Sequence, residues 1–173
     1  MRRIVTAIVN NQSGVLNRVT GLLSKRQFNI ESITVGLTET PDSSRMTFVV
    51  DVEDDAKLEQ LIKQLNKQID VLKVSDITDM AIVARELALV KVMSRPQTRG
   101  EIRDLVETFR ATVIDIGRDS LTIQVTGETD KVEALIELLR PYGIKELART
   151  GVTAFTRGMQ KSAADIKTVS ILK

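Results

Sequence analysis

Ile4-Val5-Thr6-Ala7-Ile8-Val9-Asn10-Asn11-Gln12-Ser13-Gly14-Val15-Leu16-Asn17-Arg18-Val19-Thr20-Gly21-Leu22-Leu23 changes its hydrophobic period partway along. Before Asn10 the run is β-branched and apolar or nearly so on both sides, which predicts a buried strand. After Gly14, the residues Val15, Leu16, Val19, Leu22 and Leu23 recur at three- and four-residue spacing, which predicts an amphipathic helix. A strand running straight into a helix, with a polar, glycine-containing turn between them, is the seed of a mixed α and β fold.

The same change of period occurs further along the chain. Helical stripes return at Leu58, Leu61, Ile62 and Leu65, at Ile102, Leu105, Val106 and Phe109, and at Val132, Leu135, Ile136 and Leu139. Start signals precede them: Ser13 for the first, Asp54 and Asp55 for the second, a Thr98/Glu101 capping box for the third, and Thr129 or Asp130 for the fourth. Runs rich in Ile, Val and Thr predict strands at residues 3–9, 29–37, 45–52 and 71–78, then at 86–93, 111–116, 120–126 and 144–151. Hairpins turn through residues 39–44 and through Gly117-Arg118-Asp119. The order strand, helix, strand, strand, helix, strand therefore appears twice, with a period of roughly eighty residues, too long for a solenoid unit. The expected class is α+β, with two tandem ferredoxin-like βαββαβ domains at residues 1–80 and 81–158 and a tail at 159–173. The chain from Thr156 onward shows scattered charge and only a weak apolar pattern in Ile166, Val169, Ile171 and Leu172, and reads as mobile or partner-dependent.

In each such unit both helices lie on one face of the sheet. The first strand is apolar on both sides, and Val49 falls on the face opposite Met46, Phe48 and Val50, so a second cover is required. The other half of the chain and a second copy of it are both expected to contribute, which points to a homodimer.

Composition narrows the function. With no Cys, His or Trp among 173 residues, thiol redox chemistry, Cys/His zinc sites and histidine-dependent triads are excluded. The 25 basic and 23 acidic residues are interspersed, which is no footprint for nucleic acid. Four Phe and one Tyr do not supply an RNA-stacking sheet. No run reaches membrane-spanning length or has the form of a signal peptide, so a cytoplasmic protein with no membrane partner is expected. Asp51, Glu53, Asp54 and Asp55 resemble metal ligands, but they sit just before a helix, where acids cap it and oppose its dipole; no metal site is expected there. No Arg falls between Arg3 and Arg18, so the first loop lacks the residue needed for acylphosphatase-like chemistry.

The segment from Asn10 to Leu16 is the candidate site. Gly14 permits close approach, the first helical amides face outward at the positive end of the dipole, and the Asn11 amide offers both a donor and an acceptor. A small carboxylate fits such a place. The same residues also make an ordinary capped helix start, the reading that spacing alone favours. Asn29 either completes the turn after the first helix or meets the Gly14 loop of a second chain.

These residues carry a resemblance. Asn11-x-x-Gly14-Val15-Leu16-x-Arg18-Val19-x-Gly21-Leu22, Arg26-x-x-Asn29-Ile30-x-Ser32 and Ser44-Arg45-Met46-Thr47 resemble the regulatory small subunits of acetolactate (acetohydroxyacid) synthase. Glu86-Leu87-Ala88-Leu89-Val90-Lys91-Val92 and Thr150-Gly151-Val152 resemble that family's C-terminal domain more loosely. The likeness runs from Met1 to about Gly158. It implies that residues 1–80 form an ACT domain, the amino-acid-sensing version of this fold, in a non-catalytic subunit of a transferase complex. Such a subunit activates a thiamine-diphosphate-dependent catalytic subunit in branched-chain amino-acid biosynthesis and confers allosteric feedback inhibition by valine. Thiamine diphosphate, magnesium and FAD would belong to the catalytic partner, with no cofactor in this chain. The resemblance puts the effector site between two chains, with Asn11, Ser13, Gly14, Val15 and Leu16 from one and Asn29 and Ile30 from the other. The effector's side chain would pack among Leu16, Ile30 and Ile33. An ACT sensor serving another enzyme or a transcription factor is the alternative.

Overall fold

The computed structural model describes residues 1–158. The first half runs β1 (Arg2–Asn10), α1 (Val15–Lys25), β2 (Asn29–Leu37), β3 (Ser43–Asp51), α2 (Asp55–Asn66) and β4 (Val71–Asp76). The second runs β5 (Ile82–Met93), α3 (Arg99–Thr108), β6 (Thr112–Ile116), β7 (Ser120–Gly127), α4 (Thr129–Leu139), a 3-10 turn (Arg140–Tyr142), β8 (Ile144–Arg149) and β9 (Thr153–Thr156). The strands form two antiparallel sheets, ordered β2-β3-β1-β4 and β6-β7-β5-β8. The βαββαβ pattern thus occurs twice, as the hydrophobic periods required.

Each helix buries its stripe on one face of its own sheet. In the first half Val15, Val19 and Leu23 of α1 and Leu58, Leu61 and Leu65 of α2 close over Val5, Ala7, Val9, Met46, Phe48 and Val50. In the second, all four stripe residues of α4 and Ile102 and Val106 of α3 close over Ala88, Val90, Val92, Ile123 and Val125. Leu16 departs from its stripe: it is 45% exposed at the start of α1.

The helix starts use other chemistry than expected. Only Asp54 caps as read, its carboxylate accepting from the Lys57 amide at 2.7 Å. Ser13 does not cap α1, because the cap position falls one residue later, on Gly14 in a left-handed conformation (φ 83°), with no side-chain cap. No Thr98/Glu101 capping box forms: Thr98 Oγ1 bonds back to Arg95, and Glu101 accepts from the Tyr142 hydroxyl at 3.0 Å. For α4 the cap position is Glu128, and Thr129 and Asp130 lie inside the first turn. The turn after α1 is completed by Gln27 at φ 59°, and by Arg110 at φ 50° in the corresponding place after α3. Asn29 is released from that task and opens β2.

The second face of the first sheet is covered from within the chain. Val49, Ile77, Val152 and Ala154 form a third buried cluster, joined by Ile4, Ile82 and Ala84. The cover is a ribbon that residue patterns did not reveal: Gly151 turns the chain at φ 82° after β8, and β9 then pairs with Ile82–Arg85 of β5. β8 therefore ends at Arg149 rather than Gly151, and β5 starts at Ile82 rather than Glu86. Thr156 closes β9 and the Arg157 amide donates to Ala81 O, so the loose chain expected from residue 156 does not begin there. The tail expected at 159–173, with Ile166, Val169, Ile171 and Leu172, lies outside the described residues.

Two polar features of this architecture give measurable consequences. Thr47 is 1% exposed in the centre of β3, and its Oγ1 has no hydrogen-bond partner among the described residues. Thr47→Val keeps the shape and removes the orphaned group, and is expected to stabilise the fold by about 1 kcal/mol, a rise in Tm of about 2–4 °C. Glu86, whose side chain is 3% exposed, is held by Arg149, which also bonds Glu133. Burial opposes the charge on Arg149, but hydrogen bonds to Glu133 and Glu86 outweigh it and hold the guanidinium pKa above its ordinary value. Arg149→Met leaves a buried, unpaired carboxylate and is expected to cost about 3 kcal/mol. Adding Glu86→Gln to that variant recovers most of the loss, as read by denaturant unfolding.

Candidate functional site

The loop between β1 and α1 is tied at its base and open at its tip. The Asn10 amide donates to Asp70 O at 2.8 Å and the Asn11 amide to Asp42 O at 2.7 Å. The chain then tightens, with the Gln12 amide on Asn10 O and the Val15 amide on Gln12 O. The first regular helical bond is Arg18 N–H to Gly14 O, at 2.9 Å. The Leu16 and Asn17 amides precede it and have no acceptor among the described residues, the ordinary state of a first helical turn.

Two observations mark this turn. The first turns of α2, α3 and α4 carry Asp55, Glu101 and Asp130, whereas that of α1 carries no acidic residue. Its dipole is therefore not offset by the chain itself. Arg18 also folds back over the turn, as helical side chains do. Its Nε and Nη2 donate to Asp70 Oδ2 at 2.9 and 2.6 Å, and Nη1 lies 3.0 Å from where a Gly14 Cβ would stand. Gly14 is thus required by its positive φ, and a Cβ there would also make the Arg18 guanidinium give way by a few tenths of an ångström. Asn11, Ser13, Gly14 and Leu16 surround the turn at the surface, while Val15 is buried and anchors it.

Asn29 and Ile30 are not part of that group within one chain. Asn29 pairs with Asp51, which pairs with Arg2, so it sits at the opposite end of β1 from Asn10. Nine residues of strand put the two places about 27 Å apart, at about 3.4 Å per residue. The register also shifts between Ile30 and Ser32, leaving Glu31 as a bulge. The consequence is a change of face. Ile30 and Ile33 lie opposite Val50 and Phe48 and pack on the helix-covered core, whereas Ser32 lies opposite Val49 on the other face. Arg2 Nε donates to the bulged Glu31 at 2.9 Å.

One cleft escaped the residue patterns altogether. About 710 Å³ opens between β2 and the second half, lined by Arg2, Ile30, Ser32, Glu86, Glu133 and Arg149 among others. The available signal was Glu86, a carboxylate at an inward position of a strand whose following inward residues are Ala88, Val90 and Val92. Among the described residues no group of three His, Cys, Asp or Glu is placed to hold a metal ion. No described helix is long and apolar enough to cross a membrane.

Comparison with known proteins agrees with this layout. Residues 5–73 match the AHAS small subunit-like ACT domain, and residues 85–158 match the domain described as small subunit of acetolactate synthase. A Bacillus subtilis protein named acetolactate synthase small subunit is 65% identical over 172 residues, covering 99% of this chain and 100% of its own. A probable acetolactate synthase small subunit of Archaeoglobus fulgidus is 55% identical over 161 residues, covering 93% of this chain and all of the relative. The crystal structure of the acetolactate synthase small subunit from Thermotoga maritima superposes with a TM-score of 0.85 at 42% identity, covering 92% of this chain and 99% of that one. With both halves matched in order and relatives aligned over their full length, the chain belongs to the acetolactate synthase small-subunit family, and its first half is that family's ACT domain.

Proposed function

We propose that this chain is the non-catalytic regulatory subunit of an acetolactate synthase, that it activates the thiamine-diphosphate-dependent catalytic subunit, and that it makes the complex inhibitable by valine. The observation that carries the reading is the first turn of α1: exposed, left without an acid, and floored by a glycine that no side chain can replace without strain. The effector's carboxylate lies on the Leu16 and Asn17 amides, with the Asn11 amide beside it. Residues 1–80 are then the sensing domain and 81–158 the second domain, while thiamine diphosphate, magnesium and FAD reside on the catalytic subunit.

A homodimer completes the site. β2 is an edge strand with Val35 46% and Leu37 76% exposed. Its last residues lie at the same end of the sheet as the Gly14 loop, because Leu37 pairs with Ser44 and Ser44 with Val9. A second copy running antiparallel along this edge sets its own Asn29 and Ile30 at that end. One valine between two chains then favours one dimer arrangement. It inhibits to the extent that it binds that arrangement more tightly than the alternative.

The purified chain is expected to gain thermal stability with L-valine and not with D-valine, by about 2.7 kcal/mol at a hundredfold excess over Kd. In the complex reconstituted with a catalytic subunit, Gly14→Asp is expected to abolish inhibition while activation persists, because it brings a carboxylate into the anion site beside Arg18. Normal valine sensitivity of that variant would show the site to be elsewhere. Amino-acid binding without association with the catalytic subunit would instead identify a sensor serving another enzyme or a transcription factor.

A further inference from the structure

Val152 belongs to the second half of the chain, yet both of its backbone polar groups are satisfied by side chains of the first. Thr34 Oγ1 donates to Val152 O at 3.0 Å, and the Val152 amide donates to Ser32 Oγ at 3.3 Å. The two hydroxyls stand two residues apart on one face of β2, spaced to meet an extended residue laid against the sheet. Gly151 allows the approach: at φ 82° it comes so near that an added Cβ would lie 3.0 Å from Ser32 Cβ and 3.1 Å from its Oγ. Beside this contact the third cluster locks Val152 and Ala154 against Val49 and Ile77. The next residues back along the chain, Thr150 and Arg149, reach Leu87 and Glu86 of β5. One continuous path therefore runs from the Glu31 bulge, next to Ile30, into the sheet of the second half.

The geometry points to Ser32 and Thr34 as positioning residues that couple the effector site to the second domain, by holding the Gly151-Val152 turn against β2. This rests on the reading of Asn29 and Ile30 as effector residues. A shift of β2 on ligand binding moves the bulge and the two hydroxyls together, since they are consecutive in one strand. Val152 must follow or lose both partners, and a buried peptide without partners is costly. The state of the ACT domain is thereby passed to β8 and β5 through two hydrogen bonds and a close glycine contact, in addition to the covalent connection between β4 and β5.

The test compares the wild-type chain, Ser32→Ala/Thr34→Val and Thr34→Ser, each as the full chain reconstituted with a catalytic subunit. The double variant is expected to bind L-valine within about threefold of wild type by thermal shift and still to activate. Its maximal inhibition is expected to fall below about half of the wild-type value. Thr34→Ser retains the hydroxyl and is expected to behave as wild type. Full inhibition of the double variant overturns the coupling and leaves the effector site standing. Loss of binding and inhibition together also overturns it, because the hydroxyls would then merely shape the site. A wild-type chain that responds to none of valine, leucine and isoleucine overturns the reading of β2 and the coupling with it. Gly151→Ala, which strains the turn at its positive φ and sets a Cβ against Ser32 while keeping both hydroxyls, gives the same readout should the double variant fold poorly.

Discussion

A four-stranded sheet with both helices on one face has a second face to account for, and most of what is particular to this chain follows from how it does so. In the second half the need is smaller. The outer face there mixes Leu87, Leu89 and Met93 with Lys91, Thr122, Gln124 and Glu146, and Lys91 Nζ donates to Glu146 at 3.2 Å. In the first half Val49 and Ile4 lie on that face, and Thr6 and Thr47 are nearly inaccessible to solvent. Cover had to come from elsewhere in the chain, and β9 with its preceding turn supplies it. The two domains are consequently not independent units on a tether, because the polypeptide returns from the end of the second to close the first.

Much of this architecture was legible from residue spacing. The stripes at Leu58 to Leu65 and Val132 to Leu139 are strict and were read correctly because burial on one helical face leaves little freedom in residue type. The misreadings share a cause. Ser13, Thr98 and Thr129 have the right chemistry for caps, but cap geometry depends on where the preceding loop delivers the chain, and that is set by bonds such as Asn11 N–H to Asp42 O from a distant hairpin. Thr153-Ala154-Phe155-Thr156 is too short to show a period, and it is a strand only because Ile82–Arg85 waits beside it. Long-range pairing leaves no local trace in a sequence.

The candidate site was only partly legible. Asn11, Gly14 and the open amides of a helix start form a local pattern that suits a small carboxylate, but the same residues suit an ordinary capped helix start, which spacing alone favoured. Ile30 was attached to the site only through the family resemblance and Asn29 as one of two open readings of its place after the first helix, and within one chain both lie at the far end of the sheet. No reading of spacing joins residues separated by the length of β1. In the proposed dimer a second copy would do so, each chain contributing one part of the site and its partner the other.

The bulge at Glu31 sets how this stretch of chain can change over evolutionary time. On either side of it β2 serves two unrelated surfaces, Ile30 and Ile33 facing the helices and Ser32 and Thr34 facing the second domain. A single inserted or deleted residue between Asn29 and Thr34 would exchange those surfaces along the rest of the strand, turning hydroxyls into the core and isoleucines toward Val152. The hairpin at residues 38–42 carries no such alternation of faces; its restraint is the Asp42 carbonyl that receives the Asn11 amide, so its tip can vary in length while that end keeps its place. Drift in this family should therefore accumulate as loop polymorphism around a six-residue segment whose length stays constant even where its side chains differ.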